Sequence, residues 1–209
     1  AERTNCDRNY NNQTQRKVTG NDIVDMKTAA AEGSWQRPGF LEKIFTQKEQ
    51  EYIHDAPIPT QMVWKLWSMK ESAYKMYTRQ FGGRFFAPLK LSCSLLNETA
   101  GLVTINTITY QTLTSITNDY IYSVARPGGT ENPDFINSCF YLPQSCETNP
   151  QLFIHKKIID SYQAVSGRVK KNTAILKDEN GVPFLYCGSN LQIPVSITHH
   201  GNYAAFTIN

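Results

Sequence analysis

Four groups of residues in this chain have types and spacings that could do chemistry. Glu71 and Lys75 stand four apart with the acid first, and Lys70 adds a second cation beside the carboxylate. On a helix the pair shares one flank with Trp64 and Ser68. It is either an exposed ion pair worth roughly a few tenths of a kcal/mol or, on a flank covered by Trp64 and Trp67, an acid and two bases placed for phosphate and a hard cation. Asp22 lies in the strand-like segment Asn21-Asp22-Ile23-Val24-Asp25-Met26, where alternation points Asp22 and Val24 one way and Ile23 and Asp25 the other. An isolated strand-end aspartate is a turn or cap residue, and becomes a metal ligand only when a second carboxylate faces it. Thr198-His199-His200-Gly201 occupies an expected hairpin tip. Successive histidines of a strand point to opposite faces and make a poor metal pair, whereas a hydroxyl and one imidazole could hold a phosphate. Gly82-Gly83-Arg84 is first a helix stop and second a weak anion-binding turn.

The elements that must position these groups follow from pattern. Residues 60–80 form the clearest helix, with Thr60 as the expected N-cap after Pro57 and Pro59, an apolar stripe of Val63, Leu66, Trp67, Tyr74 and Tyr77, and a stop at Gly82-Gly83. Residues 39–54 suggest one or two short helices, with a capping box from Thr46 to Glu49. Residues 88–125 (PLKLSCSLL, GLVTINTITY, NDYIYSVAR) read as a β-meander with breaks at Asn97–Gly101 and Asn118-Asp119, and 125–134 as a loop. Asn149-Pro150 opens a helix through about Val165, stopped by Gly167. Two hairpins close the chain, turning at Asn180-Gly181 and at His200–Asn202. No internal repeat is visible. Strands and helices without regular alternation predict an α+β fold.

Composition narrows the function classes. At 209 residues the chain fits one domain, and 40% hydrophobic with 19% charged residues is globular. Lys and Arg number 21 against 18 Asp and Glu, so the net charge of +3 falls short of a clustered nucleic-acid footprint. No apolar run approaches the roughly 18 residues of a membrane span. Residues 1–19 are polar and Asn-rich, and read as a flexible arm rather than a signal peptide. Five scattered cysteines without a CxxC pair argue against structural zinc and for free thiols in a reducing cytoplasm. The sequons at Asn12 and Asn97 then carry no weight. Walker A, GxGxxG, GxSxG and HExxH patterns are absent from the sequence.

Taken in order, five segments resemble the 4'-phosphopantetheinyl transferase superfamily: Gly20-Asn21-Asp22-Ile23-Val24-Asp25; Phe40–Thr46 with Glu49; Leu66-Trp67-Ser68-Met69-Lys70-Glu71-Ser72-Ala73-Tyr74-Lys75; Asp178-Glu179-Asn180-Gly181-Val182-Pro183-Phe184; and Val195-Ser196-Ile197-Thr198-His199 with Tyr203-Ala204-Ala205. The third, a W-x-x-K-E-x-x-x-K helix, is the most specific. The likeness covers about 20–92 and 174–209. It implies an α+β transferase fold, an antiparallel sheet packed against helices, as a single domain over 20–209 with a β-rich insertion at about 93–173. The segment order resembles the holo-acyl-carrier-protein synthase branch, and the helix resembles the larger surfactin-synthetase type.

The implied reaction moves phosphopantetheine from coenzyme A to a serine of an apo acyl carrier protein or related carrier, as in fatty acid biosynthesis, and releases 3',5'-ADP. The resemblance assigns Asp22 and Glu71 to Mg²⁺, Glu71 and Lys75 to catalysis, and Lys70, Lys75, Thr198 and His199 to the coenzyme. Two positions depart from the family pattern. Val24 stands where the larger branch has a third acid, and Thr28, beside Lys27, stands where the smaller branch often has a carrier-binding arginine. In the smaller branch the terminal hairpin comes from a neighbouring subunit, so a homo-oligomer, a trimer by resemblance, is expected unless 93–173 mimics a second copy. Neither nucleic acid nor membrane is an expected partner. The competing reading is a module that binds coenzyme A or a carrier without transfer.

Overall fold

The computed structural model describes residues 18–33, 35–83, 85, 87–128, 135–144, 149–167, 172–179, 181–188 and 191–209. Residues 1–17 of the expected arm, most of the 125–134 loop, Arg84, Asn180, Cys6 and Cys146 lie outside them. The first half of the chain runs β1 (Gly20–Asp25), α1 (Met26–Glu32), α2 (Phe40–Ile44), α3 (Gln47–Asp55), α4 (Pro59–Phe81), a 3-10 turn (Pro88–Lys90), β2 (Leu91–Leu95), β3 (Ala100–Ile105), β4 (Ile108–Ile116) and β5 (Tyr120–Pro127). The second runs β6 (Ile136–Tyr141), α5 (Pro150–Ser166), β7 (Thr173–Lys177), β8 (Pro183–Cys187), β9 (Leu191–His200) and β10 (Tyr203–Ile208).

Two five-stranded antiparallel sheets result, ordered β1-β5-β4-β3-β2 and β6-β10-β9-β8-β7. Each half is a strand, a long helix and a four-stranded meander whose last strand returns beside the first. The fold is α+β, as expected, and it contains a repeat of topology where the sequence shows none. Residues 93–173 are not set apart as an insertion. They complete the first sheet from β2 to β5 and open the second half with β6 and α5.

Local chemistry explains most elements. Thr46 and Glu49 form the capping box of α3. Asn149 caps α5 by accepting from the Leu152 N–H, and Gly167 ends it at φ 63°. Helix α4 starts one residue earlier than expected, with Pro59 in its first turn. Thr60 instead accepts the Trp35 indole N–H at 3.1 Å. The stretch GLVTINTITY is two strands, because Asn106 takes φ 55° and turns the chain in a tight hairpin. Helix α1 and strand β6 were not anticipated; α1 is capped by Asp25, which accepts from the N–H groups of Lys27 and Thr28.

The first core lies between α4 and its sheet, around Val63, Leu66, Met69, Ala73 and Met76. The fully buried stripe therefore runs through the methionines, and Trp67, Tyr74 and Tyr77 pack at its edge. A second core joins α5 to β8–β10 through Ile154, Ile158, Leu185 and Phe206. A third, small one joins the halves through Ile23, Tyr122, Val124 and Ala205. Strand β1 lies against α4 so closely that a Cβ on Gly20 would collide with the Ser72 carbonyl oxygen, and only glycine permits that approach.

Strand β1 is also the edge of its sheet, and the second half covers that edge with side chains. The N–H groups of Asn21, Ile23 and Asp25 donate to Ser196 Oγ (3.2 Å), Thr198 Oγ1 (3.4 Å) and His200 Nδ1 (2.9 Å). Alternate residues of β9 thus satisfy alternate donors of β1, which would otherwise be buried without partners.

Candidate active site

The polar groups gather where α4, β1 and β9 meet. Lys75 Nζ donates to Asp22 Oδ1 at 3.0 Å and to the Asn21 carbonyl at 2.9 Å. Thr198 Oγ1 donates to the same Asp22 Oδ1 at 3.2 Å. Ser68 Oγ holds the Asp22 carbonyl at 3.1 Å. Ser68, Glu71 and Lys75 therefore share the flank of α4 that the sequence spacing predicts.

Glu71 is half-buried beside this group. Burial pushes its carboxyl up to about 6, the negative charge of Asp22 pushes the same way, and Lys75 opposes both. Among the described residues no hydrogen bond or ion pair engages its carboxylate. Asp22, Glu71 and Lys75 thus act on one another electrostatically, and one acid of the pair is left available.

Three other expected residues stand differently. Lys70 is buried, and its ammonium meets Glu49 Oε2 at 2.7 Å, the Ile44 carbonyl at 2.8 Å and the Pro88 carbonyl at 3.0 Å. These three acceptors use its three protons, so the expected phosphate contact is corrected to a structural one. Glu49 completes the knot by accepting from the N–H groups of Thr46 and Cys93. Thr198 is buried with its hydroxyl turned to Asp22 rather than outward. His199 is exposed, on the strand face opposite Thr198. His200 instead joins the halves: Nδ1 accepts from Asp25, and Nε2 lies 3.1 Å from Glu32 Oε2.

Two clefts flank Tyr74. One, of about 540 Å³, runs between Lys75, Arg79 and Gly82-Gly83 at the end of α4 and Gly181-Val182-Pro183 with Ile197 of the second half. The other, of about 340 Å³, is lined by Trp67, Lys70, Glu71, Tyr74, Phe85, Ala87, Pro88 and Leu91. Both volumes suit small-molecule sites. Arg79 donates to the carbonyls of Thr19 and Val195, one in each half. Burial depresses its guanidinium to about 10, and the charge of Asp178 opposes that.

Sequence reasoning missed Arg79, Tyr74 and the pair Asp25 and His200. Arg79 continues the i,i+4 series from Glu71 through Lys75, which is a signal that could have found it. Asp25 accepts from Asn202 N–H at 2.9 Å and binds Thr28. A Cβ on Gly201, at φ 53°, would collide with both Asp25 and Thr28.

The donor set suits a hard divalent ion. Asp22 and Glu71 offer carboxylate oxygens, and their mutual repulsion is what a dication would relieve. Among the described residues no cluster of three or more metal-ligating side chains forms. Two carboxylates with waters and substrate phosphate are the usual Mg²⁺ environment. No helix among the described residues is long and apolar enough to cross a membrane.

No curated protein matches the chain. Among solved structures, the holo-[acyl-carrier-protein] synthase of Thermotoga maritima is similar at 11% identity with a TM-score of 0.40, over 83% of each chain. The sequence model of the 4'-phosphopantetheinyl transferase superfamily matches residues 19–125. That span begins just before β1 and ends within β5, so it takes in Asp22, Glu71 and Lys75 and the whole helix that carries two of them. Matched over more than half its length, this chain belongs to the 4'-phosphopantetheinyl transferase superfamily.

Proposed function

We propose that the protein transfers 4'-phosphopantetheine from coenzyme A to a serine of an apo carrier protein. The serine oxygen forms a bond to the phosphorus that bears the pantetheine arm, the anhydride P–O bond breaks, and 3',5'-ADP leaves. The observation that carries this reading is the convergence of Asp22 and Lys75 at 3.0 Å beside Glu71.

Glu71 takes the serine proton. Its raised carboxyl is basic enough for that task and still ionised near neutrality. Lys75 brings positive charge to the leaving phosphate. Mg²⁺, held by Asp22 and Glu71, would supply charge neutralisation at the diphosphate. The cleft of Lys75, Arg79, Gly82-Gly83 and Gly181–Pro183 takes the nucleotide end. His199 shares the face of Ile197, which lines that cleft, and contacts a nucleotide phosphate from there. The Trp67, Tyr74 and Phe85 cleft takes the pantetheine arm.

On this reading residues 20–209 are one transferase domain of two similar halves. One chain supplies both the acids of β1 and α4 and the hairpin of β9 and β10, so it completes a site without a neighbouring subunit. The test is mass spectrometry of apo carrier proteins from fatty acid, polyketide and peptide synthesis, each incubated with coenzyme A and Mg²⁺. One added phosphopantetheine with release of 3',5'-ADP is expected on at least one carrier. Coenzyme A binding with no addition to any carrier would favour a binding module instead.

A further inference from the structure

We infer that Thr198 is a positioning residue for Asp22, acting across the two halves, and not a contact to the coenzyme. This rests on the function proposed above. Of the three β9 side chains that cover the edge of β1, Ser196 and His200 bind only backbone N–H among the described contacts with that strand. Thr198 alone also reaches a side chain there, the Asp22 carboxylate.

The direction of its hydroxyl follows from its two neighbours. The Ile23 N–H can only donate, so the threonine oxygen accepts it at 3.4 Å. The Asp22 carboxylate can only accept, so the threonine proton points at Oδ1, 3.2 Å away. Lys75 Nζ meets the same oxygen at 3.0 Å. Both donors fall on Oδ1, which leaves Oδ2 for an external cation. Lys75 must turn toward phosphate when substrate binds, and it then gives up part of its hold on Asp22. Thr198 is neutral and buried, with no such second task, so it keeps the carboxylate oriented through the exchange. Hydrogen bonds to a ligating carboxylate typically change metal affinity by about 10–100-fold.

The test is Mn²⁺ binding to the protein without coenzyme A, read by electron paramagnetic resonance, together with separate KM values for Mg²⁺ and coenzyme A in transfer. Thr198→Val should weaken Mn²⁺ binding about tenfold and raise the KM for Mg²⁺, with the KM for coenzyme A unchanged. Thr198→Ser should restore both. Ser196→Ala, which removes an acceptor from the same ladder, should lower the melting temperature without moving Mn²⁺ affinity. If Thr198→Val does not fold, Thr198→Ala gives the same comparison. Unchanged Mn²⁺ binding with a raised KM for coenzyme A would overturn the inference in favour of a phosphate contact. Loss of Mn²⁺ binding in Thr198→Ser or in Ser196→Ala would overturn it in favour of general disruption. Asp22→Asn separates the two levels: if that variant binds Mn²⁺ as well as the parent, the metal reading of the site fails, whatever Thr198 does.

Discussion

The two halves repeat one topology and differ in what the long helix buries. Helix α4 buries Lys65, Ser68, Lys70 and Ser72 beside its apolar stripe, whereas the buried residues of α5 are Ile154 and Ile158. The helix of the second half packs through apolar side chains, while the buried polar groups of that half, Ser196, Thr198 and Thr207, sit on β9 and β10. The buried polar groups of α4 therefore have no counterpart on α5. Some of them fasten: Lys65 donates to the Glu98 carbonyl at 2.8 Å, and Lys70 ties α4 to Glu49, Ile44 and Pro88. Others face β1 and build the site. The second half answers with side-chain acceptors on β9, and among the described residues no acid of that half pairs with Asp22.

The largest expected effect breaks the comparison at Glu71. Glu71→Gln should reduce transfer by about 10²–10⁴-fold, the usual contribution of a positioned base, with the far-UV spectrum unchanged. The sign of its effect on stability is opposite. The carboxyl sits above its ordinary 4.5, at about 6, so the folded state holds the proton more tightly than the unfolded chain. That contribution is complete below about pH 4.5 and is lost as pH rises through about 6. In EDTA at pH 7.5 the Gln variant should melt at or above the parent, and the difference should vanish near pH 4. A lower melting temperature at pH 7.5 would make Glu71 a structural partner, like Lys70.

Lys70→Met sharpens the same contrast from the other side. It leaves Glu49 as a buried unpaired charge, and removing one partner of such a pair costs about 3–5 kcal/mol. Urea unfolding measures this, and the KM for coenzyme A in the surviving folded fraction should not change. A folded variant of parental stability with a raised KM would return Lys70 to the phosphate site.

These two lysine-helix residues also show what was legible in the sequence. Ser68, Glu71 and Lys75 recur at three and four residues, which puts them on one flank; that Ser68 and Lys75 of this flank meet Asp22 is a tertiary contact that spacing alone does not contain. Lys70 is one residue off that flank, about 100° around the helix, where its ammonium meets Glu49 and the carbonyls of Ile44 and Pro88. Its identity, inside the most family-like segment, was misleading. Thr198 and His199 are neighbours on a strand, so they had to lie on opposite faces of β9. Helices α4 and α5 and the two closing hairpins were legible because caps, proline, glycine and periodicity agreed. Helix α1 was missed because it is 7 residues long with a run of three alanines and no stripe. Strand β6 was missed because its burial is only partial and lacks alternation. The repeat was invisible because topology is conserved here by hydrogen-bond pairing, which many residue types satisfy, while the side chains differ.

A cavity in the second helix tests whether the plain half is packed as tightly. Ile158→Ala removes a side chain with no exposed area and should cost about 2–5 kcal/mol. Hydrogen exchange should localise the loss to β8–β10 and α5. Transfer per folded molecule should be reduced only as far as β9 loosens its hold on β1. Loss of activity beyond that would mean that the second half does more than present β9.

The smallest effect compares the caps of the two halves. Thr46 caps α3 reciprocally with Glu49, whose carboxylate is part of the buried knot with Lys70 and Cys93. Asn149 caps α5 at an exposed site with a single bond to Leu152 N–H, 3.2 Å long. Asn149→Ala should cost about 1 kcal/mol, the typical value of an isolated cap. Thr46→Ala removes one bond of a connected set, and the Glu49 side chain still accepts from Cys93 and Lys70. Its cost should exceed that of Asn149→Ala only if the cap also orients Glu49. A Thr46→Ala, Glu49→Gln double-mutant cycle reads that coupling directly. Coupling well above zero means the capping box of α3 helps to hold the lysine of α4, so that the buried charge of the first half reaches as far as its surface turns. Additive costs mean the two are separate devices, and that the halves then differ only where α4 meets β1.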